Sequence, residues 1–366
     1  MMQSELLTLV IPTHNRARYC LAQLRFFRSC GVRHRIVVAD SSDHVESEAV
    51  RAGCAGLADY VRVDRTLKQY EQFAWIVRAI DTPYVVLTPD DDIAFPHAIE
   101  AALAYLQAHD DHVAVHGYSL RFGMHGPDMD IYTVEHFIPT IGEDNPMERL
   151  YHLMRRFQPH LWAVFRTAAY ASAIESAAAI DGTVFQELLF LTISILKGKV
   201  ARLPMIYAMR GPEISRVHPS EFDPFQWFLK DAESFFRHYI VYRNTLVDFI
   251  RRSPDCLQIH VSHQISVEQI IDLINATFLG RTLDLGVVNY NVRWALGELE
   301  QPFKFPPPWA GWKEPMEGDL IHPSSQIANR RYVWRRAVIE AEPKQEITIS
   351  AEEINRVATQ LDHYRF

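Results

Sequence analysis

The chain has 366 residues, of which 48% are hydrophobic and 22% are charged, and its formal net charge is −8. A chain of this length usually forms two structural units, and this composition can build a sizeable core. The negative charge argues against a general nucleic-acid-binding protein, because release of counterions from a nucleic acid needs a basic surface.

The first residues of the chain, its longest apolar stretch and its cysteines predict the cellular compartment of the protein. The first residues, MMQSELLTLVIP, lack the basic segment and small-residue cleavage site of a secretory signal. The longest apolar stretch, 188–196, is about half of the ~20 residues that a membrane span needs. The four cysteines show no CxxC pairing. We therefore expect a soluble, cytoplasmic protein without a membrane span.

Strand and helix patterns alternate along the first half of the chain. The predicted strands are 6–11, 35–39, 60–63 and 84–87, and the predicted helices are about 16–30, 67–80 and 96–108. Gly31 is the expected stop of the first helix, and Pro96 the expected start of the last, since proline is favoured in a first helical turn. This alternation predicts a doubly wound α/β sheet, in which ligands bind beyond the carboxyl ends of the strands.

The second half is predicted to be mainly helical after an irregular stretch over 123–145. The predicted helices are 146–157, a helix from Thr183, 221–250, 266–279 and a final helix that starts at Ser350. Thr183 with Gln186, and Ser350 with Glu353, fit the capping-box pattern. The change of character near 212–224 predicts two domains, 1–215 and 216–366.

Polar clusters follow three of the predicted strands. They are Thr13-His14-Asn15-Arg16, Asp40-Ser41-Ser42-Asp43 and Asp90-Asp91-Asp92. Three carboxylates placed close together repel one another, so the last cluster favours a divalent cation, and Mg²⁺ and Mn²⁺ prefer oxygen ligands. The alternative is a solvated loop in which one aspartate caps the next helix.

The segments LTLVIPTHNR, IVVADSSD and YVVLTPDDDIAFP, in this order, resemble the GT-A fold glycosyltransferases, and in particular the inverting family 2. The resemblance covers about residues 6–210. It implies a Rossmann-like GT-A fold, a mostly parallel sheet flanked by helices, here with a mainly helical C-terminal extension. It also implies transfer of a sugar from a nucleotide-sugar, with a UDP-sugar favoured, to a hydroxyl acceptor such as a saccharide, with Mn²⁺ or Mg²⁺ as cofactor.

The resemblance also implies roles for individual residues. The implied nucleotide-sugar-binding residues are Pro12, Thr13, Asn15, Arg16, Asp40, Arg65, Lys68, Asp90, Asp91 and Arg210. The implied metal ligands are Asp90, Asp92 and His218. This sequence departs from the family at His14, where Tyr or Phe is common, and at Pro89, where many members have the first Asp. Arg65 and Lys68 fit a solvated helix start equally well.

Glu187 is the candidate general base. It is a single carboxylate in an otherwise apolar helix, and a raised pKa in such surroundings suits proton abstraction from an acceptor hydroxyl. In family 2 the acceptor-side helix carries a Glu-Asp pair, to which Gln186-Glu187 is similar, and Gly198 follows at a family-like spacing. The alternative is a surface glutamate that favours the helix dipole, and Asp181 is then the fallback base.

Two rival functions stay open. A sugar-phosphate nucleotidyltransferase also uses such a sheet, but it needs a glycine-rich loop where this chain has THNRARY. A non-catalytic nucleotide-sugar-binding or assembly protein could keep the same fold. The aromatic residues of 225–239 favour core packing or a subunit interface, and the second alternative implies a homodimer through the C-terminal helices. Trp309 and Trp312 fit either acceptor stacking or simple packing.

Overall fold

The structure is a computed structural model, and it describes residues 6–125, 128–136, 140–155, 159–210, 224–253, 256, 266–280, 332–334, 338–339, 345–346 and 350–364. His218, Trp309 and Trp312 lie outside these ranges. Within them, no helix combines the length and the apolar character needed to cross a membrane.

Strands and helices alternate through the N-terminal half, as the sequence predicts. The strands are β1 (Leu7–Thr13), β2 (Arg35–Asp40), β3 (Asp59–Arg62), β4 (Tyr84–Leu87), β5 (Asp92–Ala94), β6 (His112–His125), β7 (Asp128–His136), β8 (Val164–Arg166), β9 (Lys199–Arg210), β10 (Tyr332–Trp334), β11 (Val338–Ile339) and β12 (Gln345–Glu346). The helices are α1 (Ala17–Ser29), α2 (His44–Cys54), α3 (Gln69–Val77), α4 (Pro96–Ala108), α5 (Pro146–Arg155), α6 (Thr167–Ala178), α7 (Thr183–Lys197), α8 (Pro224–Lys230), α9 (Ala232–Arg252), α10 (267–280) and α11 (Ala351–Leu361).

One large sheet organises the described residues, with the strand order β10-β7-β6-β8-β4-β1-β2-β3. β1 runs parallel to both β2 and β4, and its last residue, Thr13, is the register partner of Asp40. β9 runs parallel to β6 and antiparallel to β5, which makes Arg210 the partner of Asp92. The carboxyl ends of β1, β2, β4 and β9 therefore meet at one edge of the sheet, which we call the polar edge.

Two apolar cores cover the two faces of the sheet. Alternation along β1 sends Leu9 and Ile11 into one core and Val10 into the other, as expected of a strand buried on both faces. Helices α3, α5, α6, α7 and α9 close the core that contains Val10, and α1, α4 and α11 close the opposite one. Each such side chain contributes roughly 1.5–3 kcal/mol when fully buried, so these cores hold the polar edge in place.

The region predicted to be irregular is a β-hairpin. β6 and β7 pair antiparallel from Ser119 with His136 to His125 with Asp128. The prediction of an irregular 123–145 is therefore wrong over most of its length. Its Gly and Asp residues resemble turn signals, whereas the pairing of β7 with β6 and β10 holds the backbone extended.

Two local predictions about the helices also need correction. Gly182 rather than Thr183 is the N-cap of α7, and Gln186 donates to the Ile180 carbonyl at 2.8 Å, so the predicted Thr183–Gln186 capping box is wrong. The predicted helix 221–250 is broken at Asp231, whose carboxylate accepts from the Ser234 N–H and begins α9. The Ser350 cap is confirmed, because its hydroxyl accepts from the Glu353 N–H at 3.1 Å.

The last helix returns to the N-terminal half of the chain. The Glu353 carboxylate accepts from the Ile206 N–H of β9 at 2.9 Å and lies 3.0 Å from His97 Nε2 of α4. Val357 and Leu361 are fully buried in the same core as Leu9. α11 therefore packs directly on the sheet that carries the polar edge. The domain division at residue 215 stays a prediction.

Candidate active site at the polar edge

The first two polar clusters form one interlocked turn. Asn15 adopts a left-handed backbone conformation with φ 54°, and asparagine tolerates this region better than most residues. Its N–H donates to Ser42 Oγ at 2.7 Å, and its side-chain oxygen accepts from the Asp43 N–H at 2.8 Å. The His14 ring is held by Ser41 through Nδ1. These contacts fix the backbone of residues 13–16 at the end of β1.

Asp40 lies in this turn but is turned inward. Its side chain is fully buried and accepts from the Ser42 N–H at 2.8 Å and from the Tyr60 hydroxyl at 2.9 Å, with Arg62 at 3.3 Å. Burial alone would raise the pKa of Asp40, but these hydrogen bonds outweigh it and lower the pKa. Asp40 shapes the turn in this state, and the predicted contact with a nucleotide stays a prediction.

The third cluster lies on the turn between β4 and β5. Asp90 Oδ2 accepts from the Thr13 hydroxyl at 2.8 Å, so the end of β1 is joined to this turn. A single nitrogen of Arg16, Nη1, lies 3.3 Å from Asp90 Oδ1 and 2.7 Å from Asp91 Oδ2. The expected convergence of the clusters is therefore present. One guanidinium group, that of Arg16, contacts both Asp90 and Asp91.

Asp92 has a different partner from its two neighbours. It begins β5 and is almost fully buried, and its Oδ2 lies 3.5 Å from Arg210 Nε. The charges of Asp92, Asp90 and Asp91 also act on Tyr364, just beyond α11, and together with burial they raise the pKa of its hydroxyl. Sequence reasoning missed Tyr364, because no local pattern shows that the last helix packs here.

Burial and charge repulsion raise the pKa of Asp90 to about 6. Burial is the larger cause, followed by the neighbouring charge of Asp91, whereas Thr13 and Arg16 work in the opposite direction. Among the described residues, Arg16 and Arg210 form ion pairs with these three carboxylates. A cation bound here would relieve the repulsion between Asp90 and Asp91 that contributes to this raised pKa.

The oxygen donors of the cluster suit a hard divalent ion. Asp90 and Asp91 each place one oxygen around the single point that Arg16 Nη1 occupies, and carboxylate oxygens are the ligands that Mg²⁺ and Mn²⁺ prefer. Among the described residues, no three His, Cys, Asp or Glu side chains are grouped closely enough to hold a metal ion by themselves. The predicted third ligand, His218, lies outside them.

Glu187 lies in the second turn of α7 and is partly buried among apolar neighbours. Desolvation raises its pKa to about 7, and the positive charge of Arg210 acts in the opposite direction. The negative charge of Glu187 in turn contributes to the raised pKa of the buried Tyr70 hydroxyl. Arg210 thus interacts with both Glu187 and Asp92, which joins the candidate base to the acidic cluster.

The backbone conformation of Gly182 sets the start of α7, the helix that carries Glu187. Its φ of +85° starts α7, and a Cβ at this residue would lie 2.8 Å from the Trp227 ring. Gly198 ends the same helix against β6, where a Cβ would lie 2.5 Å from Val113 Cγ1. The spacing between Glu187 and Gly198 is therefore the length of α7 after its first turn.

Three of the remaining predicted residues, Arg65, Lys68 and Asp181, lie around the start of α3. Lys68 and Asp181 form an ion pair with each other, and both side chains are largely exposed. The fallback base is therefore paired with a candidate diphosphate ligand. Arg65 is exposed in the turn before α3, and Pro12 is partly buried in β1.

Two cavities lie at opposite ends of the strands, and one of them is next to the acidic cluster. A small one lies at the polar edge, and Asp92, Arg210, His160, Trp162 and Tyr207 are among its lining residues. A larger one, of about 700 Å³, is lined by Arg149, Arg166 and Lys197 among others. Arg166 is the register partner of Tyr84 at the start of β4, so the larger cavity lies at the opposite end of the strands from the acidic cluster.

The sequence matches no protein-family model and no curated protein. Solved structures match the fold. The S. aureus TarS 1-349 crystal structure in complex with UDP-GlcNAc superposes with a TM-score of 0.51 at 12% identity, covering 80% of this chain and 77% of that one. The complex of TarS 1-349 with UDP gives 0.50 at 12% identity, over 80% and 75%. TarS is a GT-A-type glycosyltransferase. The predicted fold class is confirmed, and the chain has the GT-A fold.

Proposed function

We propose that this protein is a glycosyltransferase that moves a sugar from a nucleotide-sugar to an acceptor hydroxyl, with inversion at the anomeric carbon. One observation carries the proposal: an acidic cluster, two arginines and a carboxylate of raised pKa are connected at one edge of a GT-A sheet. Ligands of open α/β sheets bind at this edge.

The donor is proposed to be a UDP-sugar. TarS, which shares the fold, was crystallised with UDP-GlcNAc and with UDP. The interlocked turn of residues 13–16 and 40–43 offers hydroxyl and amide groups for the nucleoside. Arg16, Arg210, Lys68 and Arg65 are positive groups for the diphosphate, and a guanidinium fork fits phosphate oxygens.

A divalent cation, Mn²⁺ or Mg²⁺, is proposed as cofactor. Asp90 and Asp91, which share one partner nitrogen, would hold it, with Asp92 and His218 as further candidates. When bound, it would offset negative charge on the departing nucleoside diphosphate. The oxygen-only donor set and the raised pKa of Asp90 support this assignment.

Glu187 is proposed to be the general base. The acceptor oxygen attacks the anomeric carbon and forms the new glycosidic bond, while the bond from that carbon to the diphosphate oxygen breaks with its electron pair. The acceptor proton moves to a carboxylate oxygen of Glu187. A pKa of about 7 suits a base that works near neutral pH. Attack opposite the leaving group inverts the anomeric carbon.

The C-terminal helices are proposed to form the acceptor side or a homodimer interface. Leu229, Phe236 and Ile240 of α8 and α9 are large apolar side chains with about half of their surface exposed. Exposed apolar clusters of this kind mark interaction surfaces. Light scattering at several protein concentrations would test the homodimer.

Release of UDP tests the enzymatic proposal directly. The protein is incubated with UDP-, GDP- and dTDP-sugars and Mn²⁺, with and without candidate saccharide acceptors, and free nucleoside diphosphate is measured. We expect slow release from a UDP-sugar by donor hydrolysis, faster release with the acceptor, and loss of both in Glu187→Gln. Pyrophosphate from UTP and a sugar phosphate would indicate a nucleotidyltransferase instead. Binding without release would indicate a non-catalytic protein.

A further inference from the structure

Arg16 occupies the point at which a cation would bind. Its Nη1 contacts Asp91 Oδ2 at 2.7 Å and Asp90 Oδ1 at 3.3 Å, so two carboxylates from one turn share one nitrogen. A divalent cation held by Asp90 and Asp91 would use these same two oxygens. The cation and the guanidinium group are both positive and need the same oxygens, so they compete for the two carboxylates.

The pair of carboxylates needs a positive partner even without a metal ion. Asp90 is almost fully buried and Asp91 mostly so, with 7% and 18% of their side-chain surface exposed. Buried carboxylates without a partner are strongly destabilising. Arg16 therefore stabilises the protein before any ligand binds, and it competes with the cation for the same oxygens.

The side chain of Arg16 can move while its backbone stays fixed. The turn that carries it is held by the Asn15–Ser42 and Asn15–Asp43 hydrogen bonds. The Arg16 side chain itself keeps 33% of its surface exposed. A donor diphosphate bound at this edge would offer new oxygen partners to the displaced guanidinium group.

We propose that Arg16 is a positioning residue that exchanges partners. It neutralises Asp90 and Asp91 in the free protein, and it transfers to the donor diphosphate when the cation takes its place. This inference rests on the proposed function. This exchange makes the cation and the donor bind cooperatively, because binding of either one favours release of Arg16 from Asp90 and Asp91. The coupling between the two affinities must be reciprocal.

Mn²⁺ binding measured by electron paramagnetic resonance, with and without UDP, tests the exchange. In the wild type we expect weak Mn²⁺ binding alone and tighter binding with UDP, by a factor within the range of about 5 to 150 that is typical of coupled sites. Arg16→Gln should bind Mn²⁺ alone more tightly than the wild type, on the order of several-fold, and UDP should then add little. Arg16→Lys keeps the charge and should retain part of the coupling.

Arg25→Gln is the matched control, because it removes the same charge from an exposed position of α1, the helix that follows Arg16. It should leave both affinities and their coupling unchanged. The exchange is overturned if Arg16→Gln binds Mn²⁺ no more tightly than the wild type, or if UDP strengthens Mn²⁺ binding equally in both. If Arg16→Gln does not fold, unchanged coupling in Arg16→Lys with unchanged affinity for Mn²⁺ alone overturns it. A wild type that binds neither Mn²⁺ nor UDP would instead refute the proposed function itself.

Discussion

Asp92 and Arg210 face each other across the antiparallel pairing of β5 and β9, with 3.5 Å between Oδ2 and Nε. The same arginine lowers the pKa of Glu187 against the effect of burial. A single side chain at the end of β9 therefore interacts with the acidic cluster on one side and with the candidate base on the other.

Replacing Glu187 by glutamine should abolish turnover and spare binding. The amide keeps the shape of the side chain but cannot take a proton, so we expect a loss on the order of 10²–10⁴-fold in the transfer rate. Acceptor-dependent UDP release measures this loss, and a UDP thermal shift checks binding. Wild-type turnover in Glu187→Gln would exclude it as the base.

The stability of the same variant should depend on pH. The pKa of Glu187 is raised in the folded protein, from 4.5 to about 7, so ionisation costs folding free energy as the pH rises through this window. Glutamine does not ionise. Glu187→Gln should therefore gain stability relative to the wild type between about pH 4.5 and 7, measured by urea unfolding at several pH values. A constant difference across this window would show that the pKa of Glu187 is not raised.

Replacing Arg210 by methionine should move the pH profile of catalysis upward. Removal of the positive charge raises the pKa of Glu187 above about 7, so the base ionises at higher pH. The rising limb of kcat/KM against pH, which reports the free enzyme, should shift in that direction. Arg210→Lys keeps the charge and should leave the limb near the wild-type position. A limb that stays in place in Arg210→Met would refute this link.

Replacing Asp92 by alanine should abolish nucleotide binding that depends on the cation. The thermal shift produced by UDP with Mn²⁺ should disappear, because a ligand raises the apparent stability only if it binds the native state. Asp81→Ala is a suitable control, since its side chain is 86% exposed and Asp81 precedes β4, whereas the acidic cluster follows the other end of that strand. An undiminished thermal shift in Asp92→Ala would remove this residue from the cation site.

Replacing Gly182 by alanine should destabilise the protein. The left-handed backbone costs a residue with a Cβ about 1–2 kcal/mol, and the added Cβ also approaches the Trp227 ring. Gly142→Ala should be nearly neutral, because its Cβ would make only an ordinary contact with Thr140. Urea unfolding compares the two. Equal stabilities would contradict the strain inferred at Gly182.

The parts of the fold with a local cause were predictable from the sequence. The apolar runs marked β1, β2 and β4, Pro96 marked the start of α4, and Ser350 marked the start of α11. The clustering of Thr13, Arg16 and Asp90 followed from parallel strand ends meeting at one edge. Each of these features depends on a few neighbouring residues or on one topological rule.

The parts that depend on distant partners were not predictable in the same way. The β6–β7 hairpin needs its neighbours in the sheet to hold Gly- and Asp-containing strands extended. The sequence position of Asp40, at the end of a strand, predicts a contact with the ligand. In the structure its buried carboxylate accepts hydrogen bonds from Tyr60 and Arg62 of β3. The approach of Tyr364 to the acidic cluster depends on the packing of α11 against α1 and β9. In none of the three cases does the sequence near the residue reveal its distant partners.

The docking of α11 has a consequence for biosynthesis. The bond between His97 and Gln360 joins residues 263 positions apart, so the part of this core that α11 covers stays open until almost all of the described chain has left the ribosome. Contacts of such long range slow folding. A nascent chain of this protein would therefore expose this apolar surface for many seconds. We expect chaperones to bind it during translation.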